Sequence, residues 1–267
     1  VTITNSGTLA DGSDVETSDA IKVNGTLDVT DGQFMPATSS DFAIVTLSSV
    51  NGKLKPASGS SLTVSGTWNN SGGSSSSFDG NSGTVTFDAA GAHTLTSGGI
   101  SFYNLATATT NTDLTIQDAL IVTNDLTVAG NTTLDAGSNQ AISVAGNWSN
   151  SGTFTPASGT VTFNGSAAQT ISGTNTFYDL TINNTHGSSK VSANGSTLTV
   201  QDDLLVSDGI FESASDYVDV TISAGATLEL RGNITVSGDW SNSGTFTPST
   251  NTVTFDGGGA QSLTSGG

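Results

Sequence analysis

The chain has no cysteine. Disulfide staples and thiol chemistry are therefore excluded. Lys and Arg together number five, against 23 Asp and Glu, for a formal net charge of −18. Such a field opposes nucleic acid and anionic membrane surfaces and admits cations, calcium above all. Only 10% of residues are charged, so the acidity reflects missing bases more than abundant acids. No apolar run approaches the ~20 residues that a membrane-spanning helix needs, and membrane insertion is not expected. No stretch keeps a helical period. The chain opens at Val1 without a signal peptide, so a processed form or a piece of something longer is expected. Hydrophobic residues are only 34% of the chain. A composition this polar suits disorder. The pattern rejects that reading, because apolar residues alternate strictly with small polar ones, and a disordered tract has no reason to keep a period of two.

What is present is a repeated module. Ile142-Ser-Val-Ala-Gly-Asn-Trp148 runs on into Gly159-Thr-Val-Thr-Phe163. Leu62-Thr-Val-Ser-Gly-Thr-Trp68 leads likewise to Gly83-Thr-Val-Thr-Phe87, and Ile234-Thr-Val-Ser-Gly-Asp-Trp240 to Asn251-Thr-Val-Thr-Phe255. Period-two alternation places the aliphatic residues and the Trp of each copy on one face of a strand. The intervening Gly66, Gly146 and Gly238 mark crowding or a bend. Within each Thr-Val-Thr-Phe, Val and Phe point one way and the threonines the other. A second shared segment follows: Ala90-Gly-Ala-His-Thr-Leu95, Ser166-Ala-Ala-Gln-Thr-Ile171 and Gly258-Gly-Ala-Gln-Ser-Leu263. Phe102-Tyr-Asn-Leu105 and Phe177-Tyr-Asp-Leu180 come next in the first two copies. The resulting repeats are 1–99, 100–174 and 175–267.

The repeats are unequal. From Phe102 to Trp148 is 46 residues, and from Phe177 to Trp240 is 63. The excess of 17 is the size of one internal strand-turn unit. A solenoid gains a whole coil easily, since each coil touches only its neighbours. Coils of roughly 15–24 residues, about twelve to fifteen in number, are expected. Short β candidates between the modules fit, among them residues 20–29, 113–116, 119–122, 125–128, 198–200, 204–206, 218–222 and 227–230. Gly, Asn, Asp and Ser separate them. All four prolines (Pro36, Pro56, Pro156 and Pro248) are expected in turns.

The run GnWsNSGtFtp…GTVTFnGsaaQtisG…tFYdLtInN resembles the repeats of large secreted bacterial surface proteins and adhesins. The resemblance covers the whole chain. It implies an all-β, right-handed parallel β-helix of the pectin-lyase-like type, one continuous solenoid over 1–267 that belongs to a longer array. Three tandem β-sandwich domains are the alternative, since 75–99 residues suits one such domain. The implied role is extracellular, structural or adhesive: a stalk, filament subunit or surface-layer component, without enzymatic activity.

Other classes have thinner support. A carbohydrate-active enzyme on this fold needs clustered carboxylates with a His and bases. The only adjacent acids are Asp202 and Asp203, and Arg231 is the sole arginine. His93 stands where the other copies carry Gln169 and Gln261, which suits a structural hydrogen bond. His186 lies in a loop segment. The densest acidic cluster, Asp11, Asp14, Glu16 and Asp19, offers hard oxygen ligands for calcium. Its spacing matches neither an EF-hand loop nor the nonapeptide Gly/Asp calcium repeat, and a solvated acidic loop is the competing reading. Carbohydrate binding and ice binding remain as module-type alternatives, the latter from the outward pairs Thr84/Thr86, Thr160/Thr162, Thr197/Thr199 and Thr252/Thr254. These pairs are several coils apart, whereas a grid needs them on successive coils. Finally, Val1-Thr-Ile-Thr-Asn5 resembles Leu180-Thr-Ile-Asn-Asn184. Head-to-tail self-association, or continuation of the chain, is therefore expected to bring Val1 and Ile3 of one copy to Leu263 and Gly267 of another. An unpaired sheet edge would invite such a contact.

Overall fold

The computed structural model of the chain describes residues 15–17, 21–30, 33–48, 51–74, 77–108, 111–185, 190–193 and 195–266. It is all-β, a parallel β-solenoid of about 12 turns with no helix among the described residues. Every pairing between its strands is parallel. The sandwich alternative fails on that point, because adjacent strands of a sandwich run antiparallel.

Each full turn visits three faces. The first face carries Leu62–Val64, Thr84–Phe87, Asn104–Thr107, Leu126–Val128 and Trp148–Asn150 in successive turns. The second carries Trp68–Asn69, Gly91–Thr96, Thr112–Ile116, Thr133–Asp135 and Thr153–Thr155. The third carries Ser101–Phe102, Leu120–Val122, Ile142–Val144, Thr160–Phe163, Asp179–Asn183, Asp203–Asp208, Asp219–Ile222, Trp240–Asn242 and Leu263–Thr264. Coil length varies. Register partners are 24 residues apart from Ile182 to Val206 and 16 apart from Val206 to Ile222.

The alternation read in the sequence sorts inside from outside. In Thr84–Phe87 and Thr160–Phe163 the Val and Phe are buried and the threonines half-exposed. The interior is one continuous column of Val, Ile, Leu and Phe. Trp68 is flanked by Phe78 and Phe102 at ring-centroid distances of 4.8 and 5.3 Å. Trp148 has Phe154 and Phe177 at 4.9 and 5.3 Å. The rings meet edge to face, the arrangement that ring quadrupoles favour.

The extra length of the last repeat is one whole coil. Leu105 pairs with Leu126, which pairs with Trp148, so two turns separate the Phe-Tyr-Asn-Leu segment from the next Trp. Leu180 pairs with Leu204, then Val220, then Trp240, which makes three. Neither repeat is a whole number of turns. The three tryptophans therefore fall on different faces: Trp68 on the second, Trp148 on the first and Trp240 on the third. One expectation about prolines is corrected. Pro36 is the last residue of the strand Gln33–Pro36 rather than part of a turn, at a strand end where its missing N–H costs the ladder little.

Candidate functional site

Asx side chains build the corners between faces. Asn104 accepts a hydrogen bond from the Asp125 backbone N–H at 3.1 Å, Asp125 from that of Asn147 at 2.7 Å, and Asn147 from that of Thr170 at 2.9 Å. Each Asx thus satisfies a donor on the following coil. A Cβ on Gly146 would lie 2.5 Å from the Asp125 carboxylate, so glycine is required there for the corner to close. At the entry to the third face the same device uses Asp179, Asp219 and Asp239, which accept from the backbone N–H of Asp203, Asp239 and Ser262.

This repetition stacks acids. Asp203 pairs directly with Asp219, and the neighbouring registers place Asp179 one coil before and Asp239 one coil after. Coils in a parallel sheet are ~4.8 Å apart. Asp202 joins the column, and the Asp202, Asp203 and Asp219 carboxylates each bring an oxygen within 4.8 Å of the others. Asp203, Asp219 and Asp239 border a concavity of about 450 Å³, together with Leu205, Thr221 and Ser241. Burial raises the Asp203 carboxyl above its ordinary range, and Asp202, Asp179 and Asp219 add to the shift. The Tyr178 hydroxyl is held protonated upward of its usual range by its hydrogen bond to Asp202.

Three carboxylate oxygens within 4.8 Å of one another are the kind of donor set a hard divalent cation takes, since calcium binds oxygen ligands at about 2.3–2.6 Å. The bases are elsewhere. On the first face of the same coils, Lys190 Nζ reaches Glu212 at 2.6 Å and Glu229 at 2.8 Å, and Arg231 pairs with both glutamates. Lys190 and Arg231 hold the Glu212 carboxyl at about 2 against the burial that opposes them. Arg231, the one candidate for an arginine base, is thus committed to two glutamates.

The residues singled out in the sequence are distributed as follows. Asp11, Asp14, Asp19, Val1, Ile3, Gly267 and His186 lie outside the described residues. Glu16 falls in the strand Val15–Thr17, in register with Met35. Leu263 sits at the rim of the last coil, 59% exposed. His93 is buried with its Nε2 2.9 Å from the Ala89 carbonyl. Its counterpart Gln169 is buried, donates to Val144 and Gly146 carbonyls at 3.0 and 2.7 Å, and accepts from the Gly165 N–H. Both are internal braces, in keeping with their exchange between His and Gln.

The Thr pairs of the three Thr-Val-Thr-Phe strands do not stack on one another, because those strands occupy three different faces. Hydroxyls nevertheless line up from unrelated segments. Ser143, Thr162 and Thr181 follow one another on the third face before Leu205 interrupts, and Thr221, Ser241 and Thr264 resume the column. Sequence reading caught Asp202 and Asp203 as a pair but missed Asp219. The only signal was Asp219 preceding Val220-Thr-Ile222 as Asp203 precedes Leu204-Leu-Val206. Comparison with protein families, with curated proteins and with solved structures yields no match to this chain.

Proposed function

We propose that the chain is a non-enzymatic extracellular solenoid with a structural or adhesive role, built to extend by stacking coil on coil. The observation that carries this reading is the unbroken apolar column through the described coils, enclosed by walls of Thr, Ser, Asn and Asp. A repeat that gains one intact coil without disturbing its neighbours is a device for setting length. Repeat solenoids draw stability from nearest-neighbour interfaces, so length is added without redesign of the core. In this reading the acids of the third face serve the corners first, and divalent cations relieve their mutual repulsion.

The competing reading is a carbohydrate-binding or carbohydrate-active β-helix, and the concave acidic surface around Asp203 and Asp219 favours it. Incubation with neutral and acidic polysaccharides, with and without calcium, separates the two. Retention of a polysaccharide or of a cell surface without release of reducing ends or unsaturated products is the expected result. Turnover that disappears in Asp203→Asn would overturn the structural reading in favour of the enzyme.

A further inference from the structure

Glycine follows asparagine at Asn24, Asn51, Asn164 and Asn194. Asn194 lies outside the described residues, and the other three differ in what the fold asks of the glycine. A Cβ on Gly52 would lie 1.8 Å from the Val29 carbonyl oxygen, and one on Gly165 would lie 2.3 Å from that of Ala145. Both glycines are buried, and the Gly165 N–H donates to Gln169 Oε1 at 3.0 Å. Close backbone approach accounts for glycine at these two places. Gly25 is under no such demand. It is exposed, a Cβ there would meet nothing within 4 Å, and its φ lies outside the left-handed region.

The setting of Gly25 is a bulge. Within the strand Lys22–Asp28, Val23 pairs with Phe42 and Thr26 with Ile44, so Asn24 and Gly25 together stand against Ala43 alone. A bulge disrupts the ladder locally and leaves a residue unpaired. Asn24, Gly25 and Thr26 are exposed in succession, which breaks the alternation that buries Val23 and Leu27. The bulge forms the corner between the first and second faces of its turn, since Phe42 continues to Val64 and Val45 to Trp68.

We propose that Asn24 is a site of spontaneous deamidation, in which the Gly25 backbone nitrogen attacks the Asn24 side-chain amide. A bond forms between that nitrogen and Cγ. The proton it sheds reaches Nδ2 through solvent, and ammonia leaves as the Cγ–Nδ2 bond breaks. The cyclic imide then takes up one water. Opening at one carbonyl gives aspartate, and opening at the other routes the backbone through the side chain as isoaspartate. Asparagine and water thus become an acid and ammonia, with no oxidant or cofactor. The attack needs an unhindered nitrogen and a backbone free to bend toward Cγ. A glycine in a bulge supplies both, whereas Gly52 and Gly165 first need a local opening of their coils. Isoaspartate lengthens the backbone by one methylene. The pairings of Lys22 and Val23 on one side and of Thr26, Leu27 and Asp28 on the other lie outside the bulge, so the product stays folded. The reaction does not depend on the extracellular role proposed above.

The test is peptide mapping by mass spectrometry of the 267-residue chain held at mildly alkaline pH, with isoaspartyl-specific enzymatic methylation as a second readout. In the folded chain, conversion at Asn24 is expected at least about tenfold faster than at Asn51 and Asn164, equivalent to about 1.4 kcal/mol of local opening. In urea-unfolded chain the three rates should converge, since each site is then the same exposed Asn-Gly pair. Gly25→Ala should slow conversion at Asn24 about tenfold or more without lowering the melting temperature, because the added methyl hinders the nitrogen but meets no neighbour. Chain fully converted at Asn24 should also keep its melting temperature. Conversion at Asn24 no faster than at Asn164 in the folded chain, an unchanged rate in Gly25→Ala, or a fall in melting temperature on conversion would overturn the proposal.

Discussion

Thr160–Phe163 and residues 252–255 have the same four side chains in opposite circumstances. Phe163 is fully buried, whereas Phe255 is 37% exposed. Val161 is buried and Val253 only half so. Local sequence does not separate them, since each follows an aliphatic-Gly-Asx-Trp segment and precedes an Ala-Gln segment. The difference is the neighbour. Thr160–Phe163 has Ile142–Val144 on one side and Asp179–Asn183 on the other. Val253–Phe255 has Ile234–Val236 on one side and no described strand on the other. In a solenoid the burial of a residue is decided by the next coil, so one motif yields a core in one place and a rim in another.

The largest effect expected from this contrast is at the phenylalanines. Phe163→Ala should cost ~3–5 kcal/mol, as for other large-to-small changes in a closed core, and Trp148→Ala should match it. Phe255→Ala should cost about 1 kcal/mol, because much of its ring already meets water. Denaturant titration of the two variants checks the difference, and equal losses would break the comparison. Gln169→Ala should come next at about 1–3 kcal/mol, since it takes a donor from the Val144 and Gly146 carbonyls and an acceptor from the Gly165 N–H and the Asn184 amide. Gln261 makes the same bonds to Val236 and Gly238 at 3.0 and 2.7 Å but is half-exposed. Water can replace it, and Gln261→Ala should cost less than half as much.

Charge provides a smaller contrast on adjacent faces of the same coils. Glu212, held at about 2 by Lys190 and Arg231, lies below its ordinary 4.5. Its stabilisation is therefore present above about pH 4.5 and lost as pH falls toward 2. Both bases are more than a third exposed, so Glu212→Gln should cost only about 1 kcal/mol at pH 7 and flatten the acid limb of the stability curve. Asp203 has the opposite sign. Its carboxyl is raised, so its ionised form opposes folding, and that penalty fades as pH falls through its folded value. Asp203→Asn should leave stability at pH 7 unchanged or higher, and should diminish any rise in melting temperature that calcium produces. A clear loss of stability at pH 7 would mean that its carboxylate braces the corner. The smallest effect belongs to the outer wall. Thr162→Ala and Thr254→Ala should each stay within about 0.5 kcal/mol and should not differ, because both side chains face solvent in either setting.

Much of the fold was legible because a parallel solenoid states its rules locally. Alternation in Leu62-Thr-Val64 or Thr160-Val-Thr-Phe163 told inside from outside, and the Gly and Asx residues marked the corners. The 17-residue excess between Phe177 and Trp240 announced a whole coil, which the Leu180, Leu204, Val220 and Trp240 register confirms. The candidate site was far less legible. Coil lengths of 16 to 27 residues leave no fixed offset from which to predict that Asp203 meets Asp219 or that Ser143 meets Thr162. The acidic residues 11–19 stood out for their density, yet density along the chain says nothing of convergence across coils.

By itself, then, the sequence determined the all-β character, the inward and outward facing of the alternating residues and a range of coil number that includes the observed 12 or so, since these follow from periods of two residues and from turn chemistry at each corner. Only the tertiary structure decided phase. It put Trp68, Trp148 and Trp240 on three different faces and drew Asp179, Asp203, Asp219 and Asp239 into one column. The physical reason is that a hydrogen-bonded ladder fixes which residues lie side by side only after every corner has chosen its length. That choice is a sum over the whole path between two strands and is written at no single position.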